Sequence, residues 1–365
     1  NKPGDPGVSQ FDAVIVPTVW SYAHDYDRRF TLRADAISID AGRLGADYDT
    51  AARLGTIQAA GPAAPRPYGN GTEDGLALSL EYATDTFVAD VGTTPLGFLL
   101  RNVVGGLEWT PDWRGIDFAL GVERRAVTSS VLSYAGMRDP ISGRTWGGVV
   151  ETGPYVWAGL YRERFSVAGS VRHMQLRGTN VPNNTFTGVR VATDWKFIAR
   201  PELEAFVGVT ANFWSYERNL QHYTFGHGGY YSPDSYLSVS IPLELQGLWR
   251  GWSYRLRVSL SHSDSKVARA PFYPTDAQLQ ALAETSPLPS GFAAPYYDGG
   301  DGGGKSVSAY AAVERRVLPG LVLGMKLDID RADYYEPTNF MLYLRHAFGK
   351  ATTRVEIPPR PIAIR

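Results

Sequence analysis

The residues of this chain that could do chemistry are its histidines, its serines and its aromatic rings. His173, His222, His227, His262 and His346 are scattered along 365 residues, with serines plentiful between them. A hydrolase would need a nucleophile, a base and an orienting acid at reachable spacing. No nucleophile elbow or other spaced triad stands out, and a lone histidine is usually structural. The chain has no cysteine, which removes disulfides, thiolate metal sites and thiol nucleophiles. Asp298 and Asp301 sit in a glycine tract that could meet calcium, but their spacing matches no EF-hand, and a flexible solvated loop is the simpler reading. No catalytic residue, metal or cofactor is expected.

The aromatic residues are more informative. There are 21 Tyr, 15 Phe and 9 Trp, and several lie beside glycine-rich backbone in three distinctive segments. One is Gly92–Gly97 followed by Val103–Gly106. A second runs from Arg124 to Ser130, then to Asp139-Pro140 and Trp146–Val149. The third is Tyr223–Pro233, which contains Phe225, His227, Tyr230 and Tyr231. Glycine admits backbone conformations closed to other residues and lets rings lie flat on the chain. Such surfaces could stack sugar rings; equally, the segments could be compact loops that pack on themselves and plug an opening. The candidate path or gating residues are Trp146, Trp214, Tyr223, Phe225, His227, Tyr230, Tyr231, Arg125 and Glu244.

The elements that position these residues read almost entirely as strands. Leu237, Val239, Ile241, Leu243 and Leu245 alternate with Ser238, Ser240, Pro242, Glu244 and Gln246. Leu321–Asp330, Tyr254–Ser261 and Leu203–Trp214 show the same period of two, which gives a strand one apolar and one polar face. The pattern predicts fifteen strands: 11–23, 28–43, 74–83, 86–93, 101–110, 115–127, 147–162, 164–176, 185–198, 202–216, 235–249, 252–265, 305–317, 321–331 and 339–348. Strand 28–43 changes phase at Ala36 and Ile37, which predicts a bulge. Asp276–Glu284 is the nearest candidate for a helix. Short connections alternate with long ones at 44–73, 94–100, 128–146, 177–184, 217–234, 266–304 and 332–338. Long strands with short and long connections at opposite ends form the pattern of an all-β transmembrane antiparallel up-and-down β-barrel, with short periplasmic turns and long extracellular loops. Bacterial barrels have an even strand count, so a sixteenth strand is expected, either ahead of the first or hidden in 147–162 or 115–146. Tyr and Trp near strand ends fit a membrane interface or a carbohydrate path.

The polar face then lines the lumen. It comprises Asp90, Asp117, Glu123, Arg125, Arg172, Arg190, Asp194, Lys196, Glu204, Glu244, Arg255, Arg257, Lys326, Asp328 and Asp330. Mixed signs and a formal net charge of −1 argue against nucleic acid as a partner and against an acidic polymer as cargo. The charges could also simply pair across the lumen and stiffen it.

The opening Pro3-Gly4-Asp5-Pro6-Gly7-Val8-Ser9, the three aromatic–glycine segments, and the tail Ile357-Pro358-Pro359-Arg360-Pro361 resemble the C-terminal domain of bacterial cellulose synthase operon protein C. The resemblance covers nearly the whole chain, in order. It is most specific in Gly226–Pro233 and Trp146-Gly147-Gly148-Val149. The resemblance implies a 16-stranded outer-membrane barrel that exports cellulose. It further implies tetratricopeptide repeats of the full-length chain in the periplasm and an indirect partnership with the inner-membrane cellulose synthase. Residues 1–10 are then expected to be a linker from the repeats, 11–348 the barrel in the outer-membrane bilayer, and 349–365 a periplasmic or lumenal tail. The main rival is a channel for another exopolysaccharide. More distant rivals are a barrel enzyme, and an adhesin using the 266–304 loop.

Overall fold

The computed structural model describes residues 2–24, 27–64, 70–113, 115–332, 336–348 and 357–363. Alternation of apolar and polar side chains drives almost all of them into one antiparallel sheet. Its fifteen long strands are β1 (Asp12–Ala23), β2 (Arg29–Arg43), β3 (Asn70–Ala83), β4 (Phe87–Thr93), β5 (Val103–Trp109), β7 (Ile116–Ala126), β9 (Thr145–Tyr161), β10 (Phe165–Thr179), β11 (Val181–Arg200), β12 (Leu203–Tyr216), β13 (Ser235–Trp249), β14 (Trp252–Val267), β17 (Gly300–Leu318), β18 (Leu321–Ala332) and β19 (Thr338–His346). Four two-residue strands accompany them: β6 (Asp112–Trp113), β8 (Met137–Arg138), β15 (Ala270–Pro271) and β16 (Tyr296–Tyr297). Helices are confined to loops: α1 (Tyr48–Ala51), α2 (Ile57–Ala60), α3 (Val131–Tyr134) and α4 (Ala277–Thr285), the last where a helix is expected. No helix among the described residues is long and apolar enough to cross a membrane.

Each long strand pairs with the next in sequence, from β1–β2 through to β18–β19. This is the up-and-down order of a membrane barrel. Among the described residues no ladder joins β1 to β19, and neither 147–162 nor 115–146 hides a second long strand. Ahead of β1, Lys2 and Phe11 form an antiparallel bridge that turns the chain back on itself. The outward face is apolar and open: Val14 is 66% exposed, Leu260 60% and Leu344 64%. In water such a surface would be costly; in a bilayer it meets lipid. Trp20, Trp109, Trp113, Trp195 and Trp249 are exposed on this face near the short-turn ends, where an aromatic girdle belongs. One short turn is Arg250-Gly251, both at positive φ (50° and 83°), which suits a two-residue hairpin.

Three expectations need correction. β2 has no bulge at Ala36 and Ile37, because its register with β1 runs unbroken from Arg29 to Asp40. The hydrophobic phase flips for another reason. Arg33 and Asp35 face the lumen low in the strand, whereas Ile37, Ile39 and Ala41 face it higher up, where they pack on Phe98, Val131, Tyr134 and Ala135. The segment 177–184 is not a loop: β10 and β11 continue through it and turn at Asn180, which has φ 51°. The glycine tract after Asp298 is strand, with Gly302, Gly303 and Gly304 paired to Ser265, Asp264 and Ser263.

Candidate functional site: a plugged, charge-lined lumen

The long loops fold inward at one end of the barrel. Their shared core contains Leu54 and Ile57 from the loop after β2, Leu132 from α3, and Leu220, Phe225 and Tyr230 from the loop after β12. Phe272, Tyr273 and Tyr297 join from the loop after β14, and Met174 and Leu176 close the core from the inner face of β10. Residues 2–10, expected as a linker, also reach it: Val8 is buried there, and Lys2 Nζ donates to the Ser129 carbonyl.

Three crossings tie the loops together. Gly55 N–H donates to the Tyr223 carbonyl and the Phe225 N–H to the Gly55 carbonyl, both at 3.0 Å. The Asp139 carboxylate accepts from the Thr56 N–H and hydroxyl, each at 2.7 Å, and from Ser142. Thr224 Oγ1 donates to the Phe272 carbonyl at 2.6 Å. His222 stacks on Tyr297 at 3.4 Å between centroids, with His227 edge-on to both. Burial drives the pKa of His222 down to about 2, helped by His227 and Arg53, and that of His227 down to about 4. The structure thus holds both rings neutral.

The sequence candidates divide between this plug and the wall. Trp146, Phe225, His227 and Tyr230 are wholly or almost wholly buried in the plug, and Tyr223 is half-buried against it. In this conformation they offer no ring face to a sugar. Trp146 lies 5.7 Å from Phe225, and the Arg144 guanidinium sits 4.3 Å over the Phe225 ring. His227 Nε2 lies 3.0 Å from the Pro271 carbonyl, and Asn184 donates to the Tyr230 hydroxyl at 3.1 Å. Trp214 is on the inner wall of β12, stacked on its cross-strand partner Tyr236 at 4.0 Å and 5°. Tyr231 stands edge-on to Tyr236, with 46% of its surface exposed.

Arg125 and Glu244 belong to a separate set of charges lower in the wall. Arg125 binds Asp90 through two hydrogen bonds, at 2.5 and 2.6 Å. Arg172 bridges Glu123 and Glu151 at 2.9 and 2.7 Å. Arg255 holds Glu244 at 2.9 Å, Lys196 holds Glu204 at 2.6 Å and Lys326 holds Asp328 at 2.9 Å. Most of the expected lumen charges therefore neutralise a cross-strand or same-strand neighbour. Sequence reasoning missed Glu151 and two buried anions, Asp35 beside Arg33 and Glu314 beside Arg345. The tail segment 357–363 reaches these groups: Arg360 N–H donates to Glu314, Arg345 to the Arg360 carbonyl, and Arg33 to the Ala363 carbonyl.

Comparison with known proteins agrees with this architecture. A bacterial polysaccharide outer membrane secretin superposes with a TM-score of 0.52 at 12% identity, covering 91% of this chain and 88% of its own, which establishes a shared fold. Cellulose synthase operon protein C of Escherichia coli K12 is 31% identical over 300 residues, or 80% of this chain and 25% of that protein. Cellulose synthase 2 operon protein C of Komagataeibacter xylinus is 35% identical over 295 residues, or 79% of this chain and 22% of that protein. The chain thus spans about a quarter of the length of these relatives. The model of the family described as cellulose synthase operon protein C C-terminus matches residues 9–349. The chain belongs to that family and is an outer-membrane β-barrel of it.

Proposed function

We propose that this barrel is the outer-membrane channel through which cellulose, a neutral β-1,4-linked glucan made at the inner membrane, leaves the cell. The lumen wall carries the reading. Most of its charges are neutralised in pairs such as Arg125–Asp90 and Arg255–Glu244, so it presents neither a basic track for an acidic polymer nor a single-sign ring for a small ion. Above these pairs the Trp214–Tyr236 stack gives a flat surface suited to a sugar ring. The names of the relatives point to the same polymer. In this reading the chain acts as a conduit with no catalytic step. The polymer is pushed by its synthesis, and further parts of the longer parent chain, periplasmic tetratricopeptide repeats, hand it over. The plug keeps the channel shut when no polymer fills it.

The test is cellular. Cells lacking the parent chain should keep making cellulose at the inner membrane but lose surface staining with a cellulose-binding dye, and the restored chain should recover it. Surface cellulose that is unchanged without the chain would sink the proposal.

A further inference from the structure

Beneath the plug, at the short-turn end, the lumen opens into a cavity of about 820 Å³. Trp157 on β9 lies in its wall, half-buried, with part of its ring open to the cavity. Its cross-strand partners are Ala119 on β7 and Ser170 on β10, both small. Two residues along its own strand is Gly159, where a β-carbon would come within 2.8 Å of both the Trp157 and the Tyr161 rings. These two rings therefore lie flat over backbone, 6.5 Å apart. Around them the charged groups are mostly carboxylates. Asp85, Asp112 and Asp117 line the cavity, and among the described residues none of the three forms an ion pair or a side-chain hydrogen bond. Glu108 accepts from the Tyr155 hydroxyl at 2.5 Å, which leaves its other oxygen open. Among the described lining residues the guanidinium of Arg172 is already committed to Glu123 and Glu151.

A half-buried indole bordered by carboxylates that make no ion pair among the described residues matches a pyranose ring. The axial C–H face stacks on the aromatic ring, and the equatorial hydroxyls donate to carboxylate oxygens. A polyanion would meet the same carboxylates with no uncommitted cation among the described lining residues to offset them. We propose that this cavity is a receiving subsite for neutral glucan at the periplasmic mouth, with Trp157 as its stacking platform and Asp117 and Glu108 as hydroxyl acceptors. It would align the arriving chain before the Trp214–Tyr236 surface higher up. The subsite rests on the export reading above but is tested apart from it.

The barrel, purified in detergent from outer membranes, is titrated with cellohexaose by calorimetry. Trp157→Ala should weaken binding by about tenfold or more, Trp157→Phe by much less, and Trp249→Ala, on the lipid-facing girdle, should leave the affinity unchanged. Strand content by circular dichroism and heat-modifiable gel mobility check that each variant is folded. An oligo-uronate of equal length should not bind. Unchanged cellohexaose affinity in a folded Trp157→Ala barrel would overturn the subsite, as would equal binding of the oligo-uronate. Neither result touches the cellular export test, whose failure would in turn leave a Trp157-dependent affinity measurable.

Discussion

The carboxylate of Asp139, 1% exposed, takes both the N–H and the hydroxyl of Thr56 at 2.7 Å. These residues belong to different loops, so one side chain pins the loop after β2 to the loop after β7. A buried carboxylate is tolerated only where donors replace its water, and among the described residues these donors come from Thr56 and Ser142.

Removing that anion should loosen the plug and leave the barrel intact. Asp139→Ala strands the Thr56 donors, at a cost of roughly 1–3 kcal/mol. Asp139→Asn keeps one acceptor and should fall between. In planar bilayers the expected order of open-channel current is Asp139→Ala, then Asp139→Asn, then wild type. Equal currents in all three would mean that this contact does not hold the gate.

Gly55 offers an independent route to the same crossing. Its φ is +53°, and a β-carbon there would lie 2.1 Å from Asp139 Oδ1. A side chain meets both left-handed strain and a hard clash. Gly55→Ala should therefore open the channel at least as much as Asp139→Ala, and the double variant should add little, since both break one junction. Full additivity in the current measurements would show two separate latches.

Acid should act on the plug through its histidines. His222 and His227 are held near 2 and 4 in the closed plug, against an ordinary value of 6.5 once exposed. A base whose pKa is lowered in the closed state stabilises that state fully above 6.5. The contribution is lost progressively as pH falls from 6.5 toward 4. Channel opening should rise over that interval. His222→Phe, which keeps a ring against Tyr297, combined with His227→Gln should flatten the dependence. A pH profile identical to that of wild type would assign the effect to other groups.

The strands were legible because lipid imposes one rule around the whole barrel: every second residue faces hydrocarbon, as Leu237, Val239, Ile241 and Leu243 do. The rule lapses above the membrane. The Gly300–Gly304 stretch and the hairpin at Asn180 have no lipid face, so their strands resemble loops in sequence. It also lapses inside, beside the plug. Ile37 and Ile39 turn the inner face of β2 apolar because Phe98 and Tyr134, distant in sequence, cover them. Tyr223–Pro233 stood out by composition and does lie in the plug. Asp139 stood out with Pro140 in the second segment, but Gly55, which pairs with Tyr223 and Phe225, and Thr56, which pairs with Asp139, carried no local signal, since only the packing of separate loops brings them together. The exposed girdle tryptophans and the inward Trp157 and Trp214 look alike in composition, and only register separates them.

Pairing in the lumen wall sets the last prediction. The Asp90 side chain is 7% exposed and its carboxylate is neutralised by the two hydrogen bonds from Arg125. Breaking one side of a buried pair is far costlier than replacing both, because it leaves an uncompensated charge. Arg125→Met alone should destabilise the barrel by about 3–5 kcal/mol, seen as a lower urea midpoint for unfolding from lipid vesicles. Arg125→Met with Asp90→Leu should recover most of that loss. If the Arg125–Asp90 pair instead serves transport, the double variant will be stable yet slow to secrete. Restored stability with wild-type surface cellulose would make the pair a brace of the wall and leave polymer contact to the aromatic surfaces.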